Sequence, residues 1–298
     1  MPLITRRRFV VSAAGAVGAA ALGDAFLIEP TAIDVTRHDL PVPGLTPALH
    51  GVRVACLTDV HLDGGVSPAA RAAQEVLARE RPDVVVLIGD ICNHEDDLPV
   101  LTAWAREARG TAATFATFGN WEHDAGIDRG TAERAYGQAG VELLYNSAGR
   151  ATVRGATLTV VGLDDPVMGH PDLGAGLATV RAGDPTLWVV HAPGWVEQVP
   201  RDVAPQPAAI LAGHTHGGQI RLPFWTPYTP RGSGRFVAGW YRDTIRPLYV
   251  SRGIGTIALR ARLFCPPELP IFTLVPPVLG LRSPSPRSGE GVRGEDRG

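Results

Sequence analysis

Seven polar residues, each placed just after a short apolar run, are of the types that hold divalent metal ions. They are Asp59 and His61 in Asp-Val-His, Asp90 after Gly89, Asn120 after Gly119, an isolated His191, and His214 and His216 in Gly-His-Thr-His-Gly-Gly-Gln. Neutral imidazoles and carboxylates suit manganese, iron, zinc and similar borderline ions. A single aspartate at a strand end can bridge two ions through its two oxygens. Asp90 is the candidate for that bridge, because Gly89 lets the backbone turn sharply before it. Asn120 adds an amide oxygen without adding charge. Two divalent ions about 3.5–4 Å apart clamp a phosphoryl group, activate a bridging water and stabilise the departing oxygen. The pieces differ in weight. Asp59-x-His61 alone says little, and a lone His191 is usually just hydrogen-bonded. Two histidines at i, i+2 inside a glycine cluster have little use in a core, so His214 and His216 carry more.

The elements that must present these residues are legible around them. Apolar runs over 52–58, 83–88, 114–118, 158–163, 187–190 and 208–211 are rich in Val, Ile, Leu and Thr and read as buried strands. Helical patterns over 67–79, 98–109 and 131–139 alternate with the early ones. Such alternation predicts an α/β architecture with ligands gathered at the carboxyl ends of the strands. After His216 the texture changes. Residues 219–275 hold further apolar runs with no helical stretch, and predict antiparallel strands completing a second sheet.

The ordered set resembles the calcineurin-like metallophosphoesterase superfamily, with motifs running through most of 51–276. Within it, GHTHGGQIRLP, PLYVSRGIG and CPPELPIFTL are similar to an exported bacterial subgroup that includes phosphodiesterases and UDP-2,3-diacylglucosamine pyrophosphatase-like enzymes. The resemblance implies a four-layer α/β/β/α sandwich of two mixed sheets. It implies two divalent metal ions, one held by Asp59, His61, Asp90 and His216 and the other by Asp90, Asn120, His191 and His214. The implied reaction is cleavage of a phosphodiester or pyrophosphate by a metal-bridged hydroxide attacking phosphorus in line, on a small-molecule or lipid-linked phosphate. Catalytic roles then fall to Asp90, Asn120 and one further group. The family usually has a histidine directly after Gly-Asn, where it helps the leaving group depart. Here that position is Trp121, whose indole offers one donor and no acid–base chemistry. His123, two residues on, is the substitute candidate. The alternatives are a solvated loop histidine, or leaving-group stabilisation by the metals alone.

Other features bound the reading. Hydrophobic residues make up 45% and charged residues 19% of the 298, values of a chain that buries a sizeable core. The formal charge is −2 and there is no lysine, so no basic strip suggests a nucleic-acid partner, and a nuclease is disfavoured. A phosphomonoesterase, or a binding protein that has lost catalysis, are the remaining alternatives; the second would normally show lost ligands. Cys92 lies two residues past Asp90, where a thiolate ligand could stand, but no CxxC or Cys/His pair supports it. Asn93, Gly217 and Gly218 are candidate pocket-lining positions. Phe224, Trp225, Tyr228, Trp240 and Tyr241 alternate with arginines over 221–246, as a phosphate-binding surface or as an ordinary hairpin would.

Residues 1–25 are set apart from the fold. Thr5-Arg6-Arg7-Arg8-Phe9-Val10 precedes a small-residue apolar stretch, resembling a twin-arginine export signal or an uncleaved anchor. That implies export machinery as a partner and a place in the periplasm or on the outer face of the cytoplasmic membrane. The apolar stretch is about fifteen residues, shorter than the ~20 of a comfortable span. No clean cleavage site precedes Phe26. The folded domain is expected over 48–276, and the polar 281–298 is expected to be disordered.

Overall fold

The computed structural model describes residues 5–222 and 224–277; the polar tail expected at 281–298 lies outside them. Two six-stranded mixed sheets lie face to face. The first runs in the order β1 (Asp34–Pro41), β12 (Glu268–Val275), β2 (Arg53–Leu57), β3 (Val84–Ile88), β4 (Ala113–Thr117), β5 (Glu142–Leu143). The second runs β10 (Gly239–Tyr241), β11 (Leu248–Val250), β9 (Ala209–Ala212), β8 (Thr186–Val189), β7 (Ala156–Gly162), β6 (Ser147–Val153). At the centre of each sheet the strands are parallel, β2 to β5 in one and β7, β8, β9 and β11 in the other.

Side-chain alternation explains the layers. Val54 and Cys56 of β2, Val84, Val86 and Ile88 of β3, and Phe115 of β4 face Leu158, Val160, Leu187, Val189 and Leu211 of the other sheet. The opposite parity, Ala55, Leu57, Val85 and Leu87, packs under α2 (Pro68–Glu80), α3 (Leu98–Glu107) and α5 (Arg129–Gln138). Strands buried on both faces are near-continuous apolar runs, which is why they are visible in the sequence. The outer face of the second sheet, with Val161, Trp188, Ile210 and Val250, is covered more thinly. Phe236, the short 3₁₀ turn Pro193–Gln198 and the five-residue α6 (Leu173–Leu177) lie there. Capping matches the helix starts: Ser67 accepts from Ala70 N, and Asp128 accepts from Thr131 N.

Three features depart from the expected organisation. The folded body reaches back before residue 48, because β1 pairs in parallel with β12 along its whole length. The segment after His216 is not an antiparallel run completing one sheet. Of the strands in this segment, β10 pairs antiparallel with β11 in the second sheet, β11 is parallel to β9, and β12 returns to the first sheet, antiparallel to β2. The physical reason is burial: β12 supplies Leu269 and Ile271 to one core and Phe272 and Leu274 to the other. Finally, the N-terminal helix α1 (Arg6–Gly23) continues through π and 3₁₀ turns to Thr31. Its stretch Ser12–Thr31, mean hydropathy 1.3, is long and apolar enough to cross a membrane by length and composition.

Candidate metal centre

The two sheets bring their carboxyl ends to one edge, and the polar residues converge there. Asp59 and His61 follow β2, Asp90 follows β3, Asn120 follows β4 as the first residue of α4 (Asn120–Asp124), His191 follows β8, and His214 and His216 follow β9. Five of these, Asp59, His61, Asp90, His214 and His216, have left-handed backbones with φ of 54°, 51°, 52°, 71° and 50°. A non-glycine residue pays about 1–2 kcal/mol there, so five together approach the net stability of a whole domain, ~5–15 kcal/mol. Such strain persists only where packing over-determines it and is concentrated at functional sites. Glycines make the convergence possible. A Cβ on Gly213 would overlap the Thr58 hydroxyl and lie 2.6 Å from Asp59 Oδ2; one on Gly89, at φ +66°, would lie 2.7 Å from His191 Nδ1.

The side chains form two groups whose donor atoms lie within 4.8 Å of one another: Asp59, His61 and His216, and Asp90, His191 and His214. In the first, His61 Nε2 and His216 Nε2 are 3.1 Å apart, and His216 Nε2 is 3.3 Å from Asp59 Oδ1. In the second, His191 Nε2 lies 3.0 Å from Asp90 Oδ2 and 3.2 Å from His214 Nδ1. Asp90 Oδ2 also reaches His61 Nε2 at 3.8 Å, which places that carboxylate between the groups.

The far nitrogens show what the near ones must be. His61 Nδ1 donates to Asn93 Oδ1 at 2.7 Å, His191 Nδ1 to Ile88 O at 2.9 Å, and His214 Nε2 to Arg231 O at 2.8 Å. Each of these bonds uses the ring's N–H and turns a lone pair toward the cluster, the arrangement that orients metal-ligating histidines. Lone pairs and carboxylates meeting in a buried space require positive charge among them. Against burial, the charge and hydrogen bond of Asp90 hold His191 well above the usual histidine range, so a proton on Nε2 supplies that charge wherever a cation does not. Burial pushes His216 down to about 3, and burial with neighbouring His191 lowers His214. Burial would raise Asp90, yet His191 and His61 hold it well below the usual carboxylate range. Asn120 Oδ1 is buried with no hydrogen-bond partner. This donor set of imidazole nitrogens, carboxylates and one orphaned amide oxygen fits divalent ions.

One residue that the sequence reading passed over organises the site. Glu122 is buried, and its carboxylate accepts from the backbone N–H groups of Asp90, Gly119, Ile91 and Cys92 at 2.9, 2.9, 2.6 and 3.4 Å. It therefore clamps the turn after β3 to the turn after β4. Burial and the Asp90 charge push its pKa up to about 7 against those bonds. The available signal was a glutamate at the third position of a helix capped by glycine, where it can reach back to the cap. The clamp also positions Trp121 N, which donates to Asp90 Oδ1 at 2.8 Å.

The remaining candidates separate. Trp121 stands edge-on to His61, with ring centroids 5.3 Å apart. The structure does not bring His123 into either group: its Nε2 is bonded to Asp164 Oδ1 at 2.6 Å, and its ring packs on Phe118. That bond raises the pKa of His123 and helps hold Asp164 down. Cys92 is buried and outside both groups, with burial raising its thiol. Of the aromatic stretch, Trp240 packs against Tyr249 and Phe272, and Tyr241 against Phe236, whereas Phe224, Trp225 and Tyr228 are exposed. A cleft of about 420 Å³ opens at His61 and Asn93, and an apolar cavity of about 400 Å³ lies beside His216 and Gly218.

Residues 52–218 match the calcineurin-like phosphoesterase family. The chain belongs to that family. Membership makes it a metal-dependent phosphoester hydrolase, and the two groups of aspartate and histidine are where family and geometry meet. Among its relatives, phosphodiesterase YaeI of Escherichia coli is 29% identical over 288 residues, covering 92% of this chain and 100% of that one. YkuE of Bacillus subtilis, named an uncharacterized metallophosphoesterase, is 27% identical over 300 residues, covering 92% and 99%. A Bos taurus protein named transmembrane protein with metallophosphoesterase domain is 28% identical over 204 residues, covering 62% of this chain and 45% of that one.

Proposed function

We propose that the protein is a dinuclear phosphodiesterase that acts outside the cytoplasmic membrane. The observation that carries this is the pair of buried groups, Asp59–His61–His216 and Asp90–His191–His214, with the Asp90 carboxylate between them. Asp59, His61, Asp90 and His216 would hold one ion; Asp90, Asn120, His191 and His214 would hold the other. Manganese, iron and zinc all suit this donor set. When bound, two such ions supply Lewis acidity at the phosphoryl oxygens and a nucleophile at neutral pH. The chain's own contribution is to fix the donors: carbonyls and Asn93 set the histidine tautomers, and Glu122 with Trp121 N sets the Asp90 carboxylate.

His123 enters this reading as the group that protonates the departing oxygen. Asp164 holds it toward the protonated form and occupies Nε2, leaving Nδ1 for the task. Export by the twin-arginine route is supported by Arg6-Arg7-Arg8-Phe9 at the start of α1, whose remaining residues are small and apolar. A diester substrate agrees with the name of the E. coli relative, and the net charge of −2 disfavours nucleic acid. The test is hydrolysis of bis-p-nitrophenyl phosphate by manganese-loaded protein, alongside Asp90→Asn. The parent is expected to be active with two equivalents of metal, and the variant inactive. Equal activity in Asp90→Asn would remove Asp90 as the bridge.

A further inference from the structure

Exposed apolar surface on this molecule is not scattered. Apart from Met168, the large hydrophobic side chains exposed among the described residues fall in three stretches: Val10 to Ile28, Leu222 to Tyr228, and Leu259 with Phe264. Single exposed apolar residues need no explanation, but a grouped set marks an interaction surface. Hydrogen bonds join the three stretches. Arg262 N donates to Ala25 O at 2.9 Å, and Phe264 N donates to the Glu29 carboxylate at 2.9 Å. Arg221 N donates to Leu263 O at 2.8 Å, which carries the chain into Leu222, Phe224 and Trp225.

The join between α1 and the body decides what can cover this face. α1 has 18 residues and is ~27 Å long; its first three are arginines, so it is the apolar remainder, continued by Asp24–Ile28, that reaches toward the ~30 Å of a hydrocarbon core. No linker follows it. Ala25, two residues beyond its end, is already buried and bonded to Arg262, and Glu29 is buried beside Phe264 and Cys265. A helix placed in a bilayer therefore sets the body flush against it, with Phe26, Leu27 and Ile28 at headgroup depth. Aromatic side chains favour that depth, and the same face supplies Phe224, Trp225, Tyr228 and Phe264. Both cavities beside the candidate ligands border on it. Phe26, Pro30 and Thr31 wall the cleft at His61; Tyr228 and Leu259 wall the apolar cavity at His216.

We propose that this face seats on a lipid bilayer, so that the ligand cluster draws phosphoesters from the membrane surface. The hydrocarbon part of such a lipid enters the cavity between His216, Ile220 and Leu259. The substrate clause rests on the phosphodiesterase reading; the docking does not.

The experiment uses the full chain, α1 included, reconstituted in phosphatidylethanolamine–phosphatidylglycerol vesicles. Spin labels go on Phe224→Cys, Phe264→Cys and, as reference, Arg181→Cys. The reference lies in the loop leading into β8, at the strand ends opposite the site, and the native cysteines are buried and do not compete. Labels at 224 and 264 are expected to collide severalfold more with oxygen than with a water-soluble nickel chelate, while 181 stays water-like. Water-like labels at 224 and 264 would overturn the proposal, and dipolar coupling between labels on two molecules would assign the face to a second copy instead. Because depth is read without turnover, immersed labels on a protein that cleaves no phosphoester would defeat the functional reading and leave the docking. Active protein with labels in water would do the reverse.

Discussion

Replacing Glu122 by glutamine exchanges a single carboxylate oxygen for an amide nitrogen, yet it strikes the clamp that holds the turns after β3 and β4 together. Each carboxylate oxygen accepts from two backbone N–H groups, Asp90 and Gly119 on Oε2, Ile91 and Cys92 on Oε1. The amide keeps one oxygen and turns an NH₂ toward the other pair, so two buried donors lose their acceptor. Each unmet buried donor costs about 1–3 kcal/mol, giving about 2–6 kcal/mol for Glu122→Gln. That is a large share of a typical ~5–15 kcal/mol, and it falls on the segments that carry Asp90 and Asn120. Urea unfolding of the parent and variant measures the stability loss, and elemental analysis after buffer exchange measures retained metal. The exposed Glu95 provides a control, because Glu95→Gln should stay within about 0.5 kcal/mol of the parent. A Glu122→Gln protein as stable as that control, with its full metal content, would refute the clamp.

Two further outcomes follow from the geometry. Gly213→Ala places a methyl against the Thr58 hydroxyl and 2.6 Å from Asp59 Oδ2, so the purified variant should keep its far-ultraviolet circular dichroism but lose metal and diesterase activity. A fully active Gly213→Ala would show that the turn after β9 yields freely. His123→Gln tests the Asp164 pair by pH. The raised His123 pKa means its stabilisation is complete below the unfolded value, ~6.5, and is lost as pH rises through the folded value; the lowered Asp164 pKa means its share is lost only as pH falls through that lower value. The stability gap between parent and variant should therefore narrow from pH 6 to 9 in urea melts, and a constant gap would sink the assignment. If His123 is also the acid, the same variant slows diesters with poor leaving groups more than bis-p-nitrophenyl phosphate.

Local chemistry made much of this protein readable in one dimension. Double-sided burial of parallel strands leaves unbroken apolar runs such as Val84–Ile88, and a polar residue just past such a run, Asp90 for example, lies at a carboxyl strand end. Ser67 and Asp128 marked helix starts for the same local reason. What remained hidden depends on partners far along the chain. Asp59 receives His214 N from 155 residues away, His61 meets His216 across the same distance, and His123 finds Asp164 41 residues on. Nothing near Glu122 in sequence shows that it will gather N–H groups from the turn after β3, and nothing near β12 shows that it will leave the second sheet for the first. Residue types and their order were determined by the sequence alone. Which nitrogens carry lone pairs, and that the N-terminal helix enters the body without a linker, were decided by the tertiary structure, because hydrogen bonds and burial pair residues by distance in space.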